Sequence, residues 1–185
     1  KSKRPGIQAL LAVTELQEKE ITAGHIGFVL APRLNAAGRL ASALRGVELL
    51  LTEDGEEAQA IAEELDAANR ERQAVEKEIL QAAEKQIEEI DVQRAHVLVL
   101  HGEGWHPGVI GIVASRIVER YYRPTVIIAE EDGIGKGSCR SIRGFHMFEA
   151  LSACKEHLLG FGGHAQAAGL SLRSENIASF REAME

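Results

Sequence analysis

Arginine, serine and histidine sit beside glycine in four short stretches of this chain. They are PRLNAAGRL (Pro32 to Leu40), GWHPGVIGIVASR (Gly104 to Arg116), GKGSCRSIRGF (Gly135 to Phe145) and GFGGHAQAAG (Gly160 to Gly169). Glycine lets the main chain approach a ligand closely and adopt positive φ. Arg, Ser and His beside such backbone supply charge, fixed donors and, from guanidinium, a planar fork, which is what a phosphate requires. One such stretch carries little weight. Four in one chain point to phosphate or nucleic-acid handling.

Each stretch also has a plainer reading. Arg33 and Arg39 flank Asn35 and Gly38, either as surface residues of a helix start or as a ligand-gripping set; Asn35 could cap a helix or position a ligand. In the second stretch, glycine and proline precede a helix whose first-turn N–H groups suit an anion. The alternative is a loop in which Trp105 packs and His106 is exposed. In the third, alternation along a strand puts Ser138 and Arg140 on one face, Ser141 and Arg143 on the other, and Cys139 toward a core. Hydroxyl and guanidinium on one face make a terminal-phosphate clamp, against ordinary exposed strand polarity. In the fourth, Gly162 and Gly163 precede His164, and Ala165, Ala167 and Ala168 leave room beside it. A satisfied structural histidine is the plainer reading, which three glycines within four residues weigh against.

Other chemistries fail on spacing. His101-Gly102-Glu103 matches half of a zinc-deaminase signature, but no P-C-x-x-C follows. GIGKGS is not a P-loop, because position 130 is Glu and Lys136 precedes Gly. Two cysteines, Cys139 and Cys154, are too few for a zinc site or a disulfide framework, so a reduced, cytoplasmic setting is expected. No run of 18 apolar residues occurs, and no membrane span is expected. The start at Lys1, with neither Met nor an apolar leader, suggests a piece of a longer protein.

The net charge of −7 is unevenly spread. Residues 1–52 hold seven Lys/Arg against four Asp/Glu, residues 53–91 four against fourteen, and residues 92–185 ten of each. The acidity is thus confined to one segment without signature motifs. Binding responds to local fields, so the sign of the total does not exclude a polyanionic partner.

The elements that must position these residues follow from periodicity. Residues 6–22 carry Ile7, Leu10, Leu11, Val13 and Leu16 at helical spacing, a short turn covers Thr22 to His25, and Ala41 to Leu51 predicts another helix. Ile61, Leu65, Ala68, Arg72, Val75, Ile79 and Ala82 alternate steps of four and three with no Gly or Pro from Glu56 to Val92. That predicts one helix of roughly ten turns, its carboxylates forming a solvated outer face. HVLVLH (96–101), PTVIIAE (124–130) and AGLSL (168–172) predict strands, with a crossover helix over Val109–Tyr121. A second amphipathic helix is predicted over Met147–Leu159, with Phe148, Leu151 and Leu158 toward the core. The fold class is α/β.

The four stretches, in this order, resemble the C-terminal half of the RecJ-type single-strand-specific exonucleases of the DHH phosphoesterase superfamily. The similarity runs from RPGIQALLAV (Arg4 to Val13) through LSLR (Leu170 to Arg173). GGHAQAAG is shared by the DHH-associated domain of many relatives; PRLNAAGRL and GWHPGVIGIVASR are specific to the RecJ branch. No Asp-His-His triplet occurs in the sequence. The resemblance implies a DHH-domain tail at 1–52, a long acidic connecting helix at 53–91 and a compact mixed-sheet DHH-associated, substrate-binding domain at 92–185. It implies that two divalent ions, Mn2+ or Mg2+, sit on Asp and His side chains of an N-terminal half outside this chain, activating water for in-line attack. No catalytic or metal residue is then expected in this chain, which alone would be inactive.

The implied function is 5′→3′ degradation of single-stranded DNA in recombination and repair, this chain forming the substrate and 5′-phosphate wall of the cleft. Arg33, Asn35, Arg39, His106, Ser138, Arg140, Gly162, Gly163 and His164 are the expected phosphate and nucleic-acid contacts. Trp105 and Phe145 are candidates to stack on bases, with core packing as the alternative. The expected partners are single-stranded DNA and the upstream DHH domain of the same polypeptide, with no membrane. Two competing functions are a DHH-superfamily phosphoesterase of short oligonucleotides or nucleotide phosphates, and a non-catalytic nucleic-acid-binding module.

Overall fold

The structure, a computed structural model, describes residues 3–40 and 43–185. Contacts divide the chain into two compact units, Lys1–Ala74 and Val75–Glu185.

The first unit is helical. Helix α1 (Pro5–Val13) begins with proline in its first turn, where the missing N–H is no loss. It ends in a left-handed cap. Glu15 takes φ +55°, its N–H bonds to Ala12 O (3.1 Å), and the Leu16 N–H bonds to Leu11 O (2.9 Å). The helical spacing read over 6–22 therefore stops at Val13, yet Leu16 still reaches the core because the cap folds it back against Leu11. Short α2 (Ala23–His25) is capped by Thr22 and continues through a π-helical turn (Ile26–Leu30) into α3 (Ala31–Leu40). Helix α4 (Leu44–Leu51) follows; the expected start at Ala41 lies outside the described residues. Leu10, Leu16, Leu49, Ile61 and Leu65 centre this core.

Helix α5 (Gly55–Glu88) starts at Asp54, whose Oδ1 accepts the N–H groups of Glu56 (2.8 Å) and Glu57 (3.2 Å). The unit boundary falls inside it. Its buried seam is apolar at Ile61 and Leu65 and again at Ile79, Ala83 and Ile87, but polar between, at Asp66, Asn69, Arg72 and Glu76. The expected solvated carboxylate face therefore needs correction at two positions. Asp66 pairs with Arg33 and Arg70, and Glu76 with Arg116.

The second unit is a five-stranded mixed sheet with helices on both faces. Its elements are β1 (Leu98–Glu103), α6 (Ile110–Tyr121), β2 (Thr125–Glu131), β3 (Ile134–Arg140), α7 (Met147–Ala153), β4 (Gly160–Gly163), β5 (Ala167–Arg173) and α8 (Ile177–Met184). The strand order is β1-β2-β3-β5-β4, with β1 parallel to β2 and every other pair antiparallel. Asp132 and Gly133, at φ +50° and +76°, make the two-residue turn between β2 and β3, whose twist suits a tight hairpin. One face buries Val99, Val126, Ile128, Cys139 and Leu172 against Met147, Leu151 and Phe180. The other packs against α6 through β2 and β3. Burial pushes the Cys139 thiol up to about 12, which suits a core residue.

Three expectations change here. The helix from Met147 ends at Ala153, and Phe148 is 38 % exposed. Met147, Leu151 and Cys154 recur at helical spacing on the buried side, which turns Phe148 outward by one helical step. Strand β3 ends at Arg140, so Ser141 and Arg143 do not form a second strand face. Ser141 Oγ donates to Phe145 O (2.8 Å), and Gly144 at φ +93° completes the turn. Helix α8, unforeseen, buries Ile177, Phe180 and Met184.

At the outer edge of β1, the Gln86 carboxamide donates to His101 O (2.6 Å) and accepts from the His101 N–H (3.2 Å). Arg181 Nε donates to Val99 O (3.1 Å) on the same strand.

Candidate nucleic-acid interface

A row of paired residues crosses the sheet: Leu100, Ile127, Ser138, Gly169 and Gly162. Directly opposed residues point to the same face. Helix α6 packs on that face over β2 and β3, whereas on β5 and β4 the same face carries exposed Gly169, Gly162 and Gly160. Beyond Ser138, then, this row is bare backbone, flanked on β5 by Ala167 and Ser171.

The fold does not require these three glycines. A Cβ on Gly162 would meet nothing within 4 Å, one on Gly169 only Gly137 O at 3.7 Å, and one on Gly160 only Ser171 Oγ at 3.6 Å; none has positive φ. Gly163 differs. Its φ is +147°, and a Cβ there would lie 2.4 Å from Ala167 O. Glycine inside a strand is destabilising by roughly 0.5–1 kcal/mol relative to alanine. Three exposed glycines that neither positive φ nor packing requires leave open backbone suited to close approach by a ligand.

The rim of this floor is basic. Lys136, Ser138 and Arg140 share the same face of β3. Arg140 Nη1 donates to Ser138 Oγ (3.2 Å) and Cys139 O (2.8 Å). Gly111, in the first turn of α6, lies directly on this pair: a Cβ there would sit 2.9 Å from Ser138 Oγ and 3.0 Å from Arg140 Nη2. Val109 provides no side-chain cap for that turn. A hydroxyl and a guanidinium thus converge beside the first turn of α6, a donor pair suited to a phosphate; the Ile110 and Ile112 N–H groups of that turn are already bonded, to His106 O (3.2 Å) and Val109 O (2.9 Å). Among the described residues no carboxylate pairs with Lys136, Arg140 or Arg143.

His164 follows the Gly163 turn and is exposed. Its N–H bonds to Ala167 O (2.8 Å), and its Nδ1 accepts from the Gln166 N–H (3.3 Å), which leaves Nε2 as an outward N–H donor. His106 is held the same way, Nδ1 accepting from the Gly108 N–H (3.0 Å). Trp105 lies flat on the Gly102 backbone and lines a cleft of about 560 Å³ with Glu103, Glu130, Asp132 and Lys136. Phe145 packs against the core.

The sheet unit therefore brings together Ser138, Arg140, Gly162 and the α6 start that follows His106, with His164 at the β4–β5 turn. The α3 residues belong to the other unit and face different ways. Arg33 turns inward, its Nε donating to Asp66 Oδ1 (2.8 Å) and Nη1 to Val29 O (2.7 Å). Asn35 and Arg39 are exposed one turn apart on α3, and Asn35, inside the helix, caps nothing. Gly111, Lys136, Gly160 and Gly169 are members of the site that sequence reasoning did not single out. Two of them left a signal, Gly160 as one of three glycines within four residues and Gly111 as a glycine within a helix. Among the described residues no group of three or more His, Cys, Asp or Glu side chains could hold a metal ion, and no helix is long and apolar enough to cross a membrane.

Comparison with known proteins places this geometry in a family. A family model described as the DHHA1 domain matches residues 93–185. The single-stranded-DNA-specific exonuclease RecJ of Bacillus subtilis (strain 168) is 42% identical over 183 residues, covering 98% of this chain and 23% of that protein. The enzyme of the same name from Escherichia coli (strain K12) is 45% identical over 188 residues, covering 97% and 32%. A crystal structure of RecJ in complex with Mg2+ from Thermus thermophilus matches with a TM-score of 0.86 at 36% identity, over 99% of this chain and 28% of that one. One of exonuclease RecJ bound to manganese gives 0.86 at 37% identity, over 100% and 45%. The chain thus spans less than a third of the length of these two curated relatives. The mixed sheet and long helix are those of the RecJ structures. Matched by that model over half its residues and by RecJ proteins over nearly all of them, the chain belongs to the DHHA1 domain family in its RecJ-type form.

Proposed function

We propose that this chain is the substrate-binding portion of a RecJ-like nuclease that degrades single-stranded DNA from the 5′ end in recombination and repair, within the cytoplasm. The observation that carries the reading is the bare glycine face of β4 and β5 beside Gly111, Ser138 and Arg140. A terminal phosphate seats on Ser138 and Arg140 beside Gly111, and the sugar–phosphate backbone then crosses the glycine floor toward His164 Nε2. From Ser138 to Gly162 is two strand spacings, about 10 Å, a width that seats one backbone. Such contacts position a strand without reading its sequence.

Divalent ions of the kind named in the RecJ crystal structures would supply activated water. Their ligands are assigned to an upstream DHH domain, and the part of this chain is to bind and orient the strand. Exposed Phe28 (86 %) and Leu51 (71 %) on the helical unit support such a neighbour, and residues 1–52 are read as the tail of that domain. Asn35 and Arg39, exposed on α3, are assigned to the strand as well. Arg33 joins them only by exchanging Asp66 for phosphate.

The test uses full-length nuclease. Arg140→Ala should slow cleavage of 5′-phosphorylated strands about 10- to 100-fold more than that of 5′-hydroxyl strands, the worth of one charge-assisted bond. His164→Ala should slow both alike. Equal slowing by Arg140→Ala would move this arginine from the terminal phosphate to general backbone binding.

A further inference from the structure

The backbone-gripping surface described above leaves open where the bases go. Trp105 is poorly placed for them, because the carboxylates of Glu103, Glu130, Glu131 and Asp132 line the same cleft and outnumber the one ammonium there, that of Lys136. Phe145 is partly buried against the core and has no exposed aromatic ring beside it among the described residues. The far end of the glycine floor is different. Strand β4 ends the sheet, with β5 on one side and no strand on the other among the described residues.

Phe161 lies on β4 between Gly160 and Gly162 and pairs with Leu170, so its ring points to the face opposite the floor. There it meets Phe148 of α7, with ring centroids 5.5 Å apart and planes at 46°. Phe148 is 38 % exposed and the adjoining Leu159 55 %. The core of this unit is filled by Met147 and Leu151 and does not need the Phe148 ring. A strand leaving the floor over the edge of β4 therefore meets the exposed ring of Phe148 at once, backed by Phe161, which is partly buried against the core.

We infer that Phe148 and Phe161 are the base-stacking platform for the bound strand, which reaches the clamp at Ser138 and Arg140 by crossing the edge of β4. The inference rests on the nuclease reading above and adds to it a direction of entry and two positioning residues. The path from Ser138 to Gly162, about 10 Å, equals the rise of about three nucleotides of a stacked strand and fewer of a stretched one. The stacked bases are therefore those beyond the first two or so. A dinucleotide ends before it reaches them.

The experiment compares steady-state hydrolysis of a 5′-phosphorylated 12-mer and a 5′-phosphorylated dinucleotide by full-length protein. Phe148→Ala should raise the ratio of the 12-mer KM to the dinucleotide KM about tenfold, in the range for loss of one stacked base. Phe161→Tyr, which keeps an aromatic face, should hold the wild-type ratio, whereas Phe161→Leu should raise it. Gly162→Leu is the control on the floor itself. If it impairs the 12-mer while Phe148→Ala and Phe161→Leu leave the ratio unchanged, the platform is overturned and the backbone site stands. If none of the three changes either substrate, both readings fall.

Discussion

The two units handle their cations differently. In the helical unit arginines face carboxylates: Arg33 bonds to Asp66 (2.8 Å), Arg70 to the other oxygen of Asp66 (2.9 Å), and Arg45 to Glu48 (2.7 Å) and Glu64. Arg45 accordingly holds the Glu64 carboxyl below its usual range. In the sheet unit Lys136 and Arg140 share one face of β3, and neither they nor Arg143 form an ion pair with a carboxylate among the described residues. Arg116 and Arg120 of that unit are instead paired, with Glu76 and Glu84 of α5. The task of a cation is set by what faces it. Paired arginines tie helices together, and those without a carboxylate partner keep charge that an anion from outside would meet.

Substitutions in both units would break or sharpen that contrast. The largest effect is expected from Val75→Pro, because residues on both sides of it belong to one helix. Loss of an i→i−4 bond and the ring clash should cost about 3 kcal/mol or more, read by urea denaturation. Strand cleavage by the full-length protein should fall while the rest of the far-ultraviolet dichroism persists. An unchanged midpoint would mean that α5 is not continuous at this point. Next, Arg33→Ala should destabilise by about 1.5–3 kcal/mol, since it strips a charged hydrogen bond from buried Asp66. Arg140→Ala should stay within about 0.5 kcal/mol of the parent. Similar melting losses for both would erase the distinction between paired and unpaired cations.

The glycines offer a finer test. Gly163→Ala should cost about 1–3 kcal/mol, because its Cβ would strike Ala167 O at 2.4 Å and its φ is +147°. Gly162→Ala should be neutral or gain up to about 1 kcal/mol while weakening strand binding, measured by fluorescence anisotropy. Equal losses from the two would return Gly162 to a purely structural role. The smallest effect is a gain. Glu15→Gly relieves a side chain at φ +55° and should raise stability by about 0.5–1 kcal/mol in thermal melts; a loss would show that the Glu15 side chain has a stabilising partner.

What could be read in advance was what depends on local repetition. The alternation Ser138–Cys139–Arg140 fixed one polar and one buried face because strands have a period of two, and α6 followed from its apolar spacing. Features set by distant partners were out of reach. Arg33 is turned inward by a carboxylate 33 positions along the chain, and no local pattern announces that. The stop after Val13 uses Glu where glycine would have marked the turn. Gly162 and Gly163 are identical in sequence, and only the space around each Cβ separates the one that the fold needs from the one that it does not.

Sheets with exposed margins can recruit a strand from another copy of themselves, the first step toward aggregation. At the β1 margin the Val99 carbonyl is already occupied by Arg181, and both outward groups of His101 by Gln86. A passing strand would have to displace a guanidinium and a two-point amide mimic of its own backbone. Gln86→Ala, harmless to the clamp residues, would reopen that margin. Its cost would appear less in folding free energy than in solubility, as particles during prolonged storage at high protein concentration.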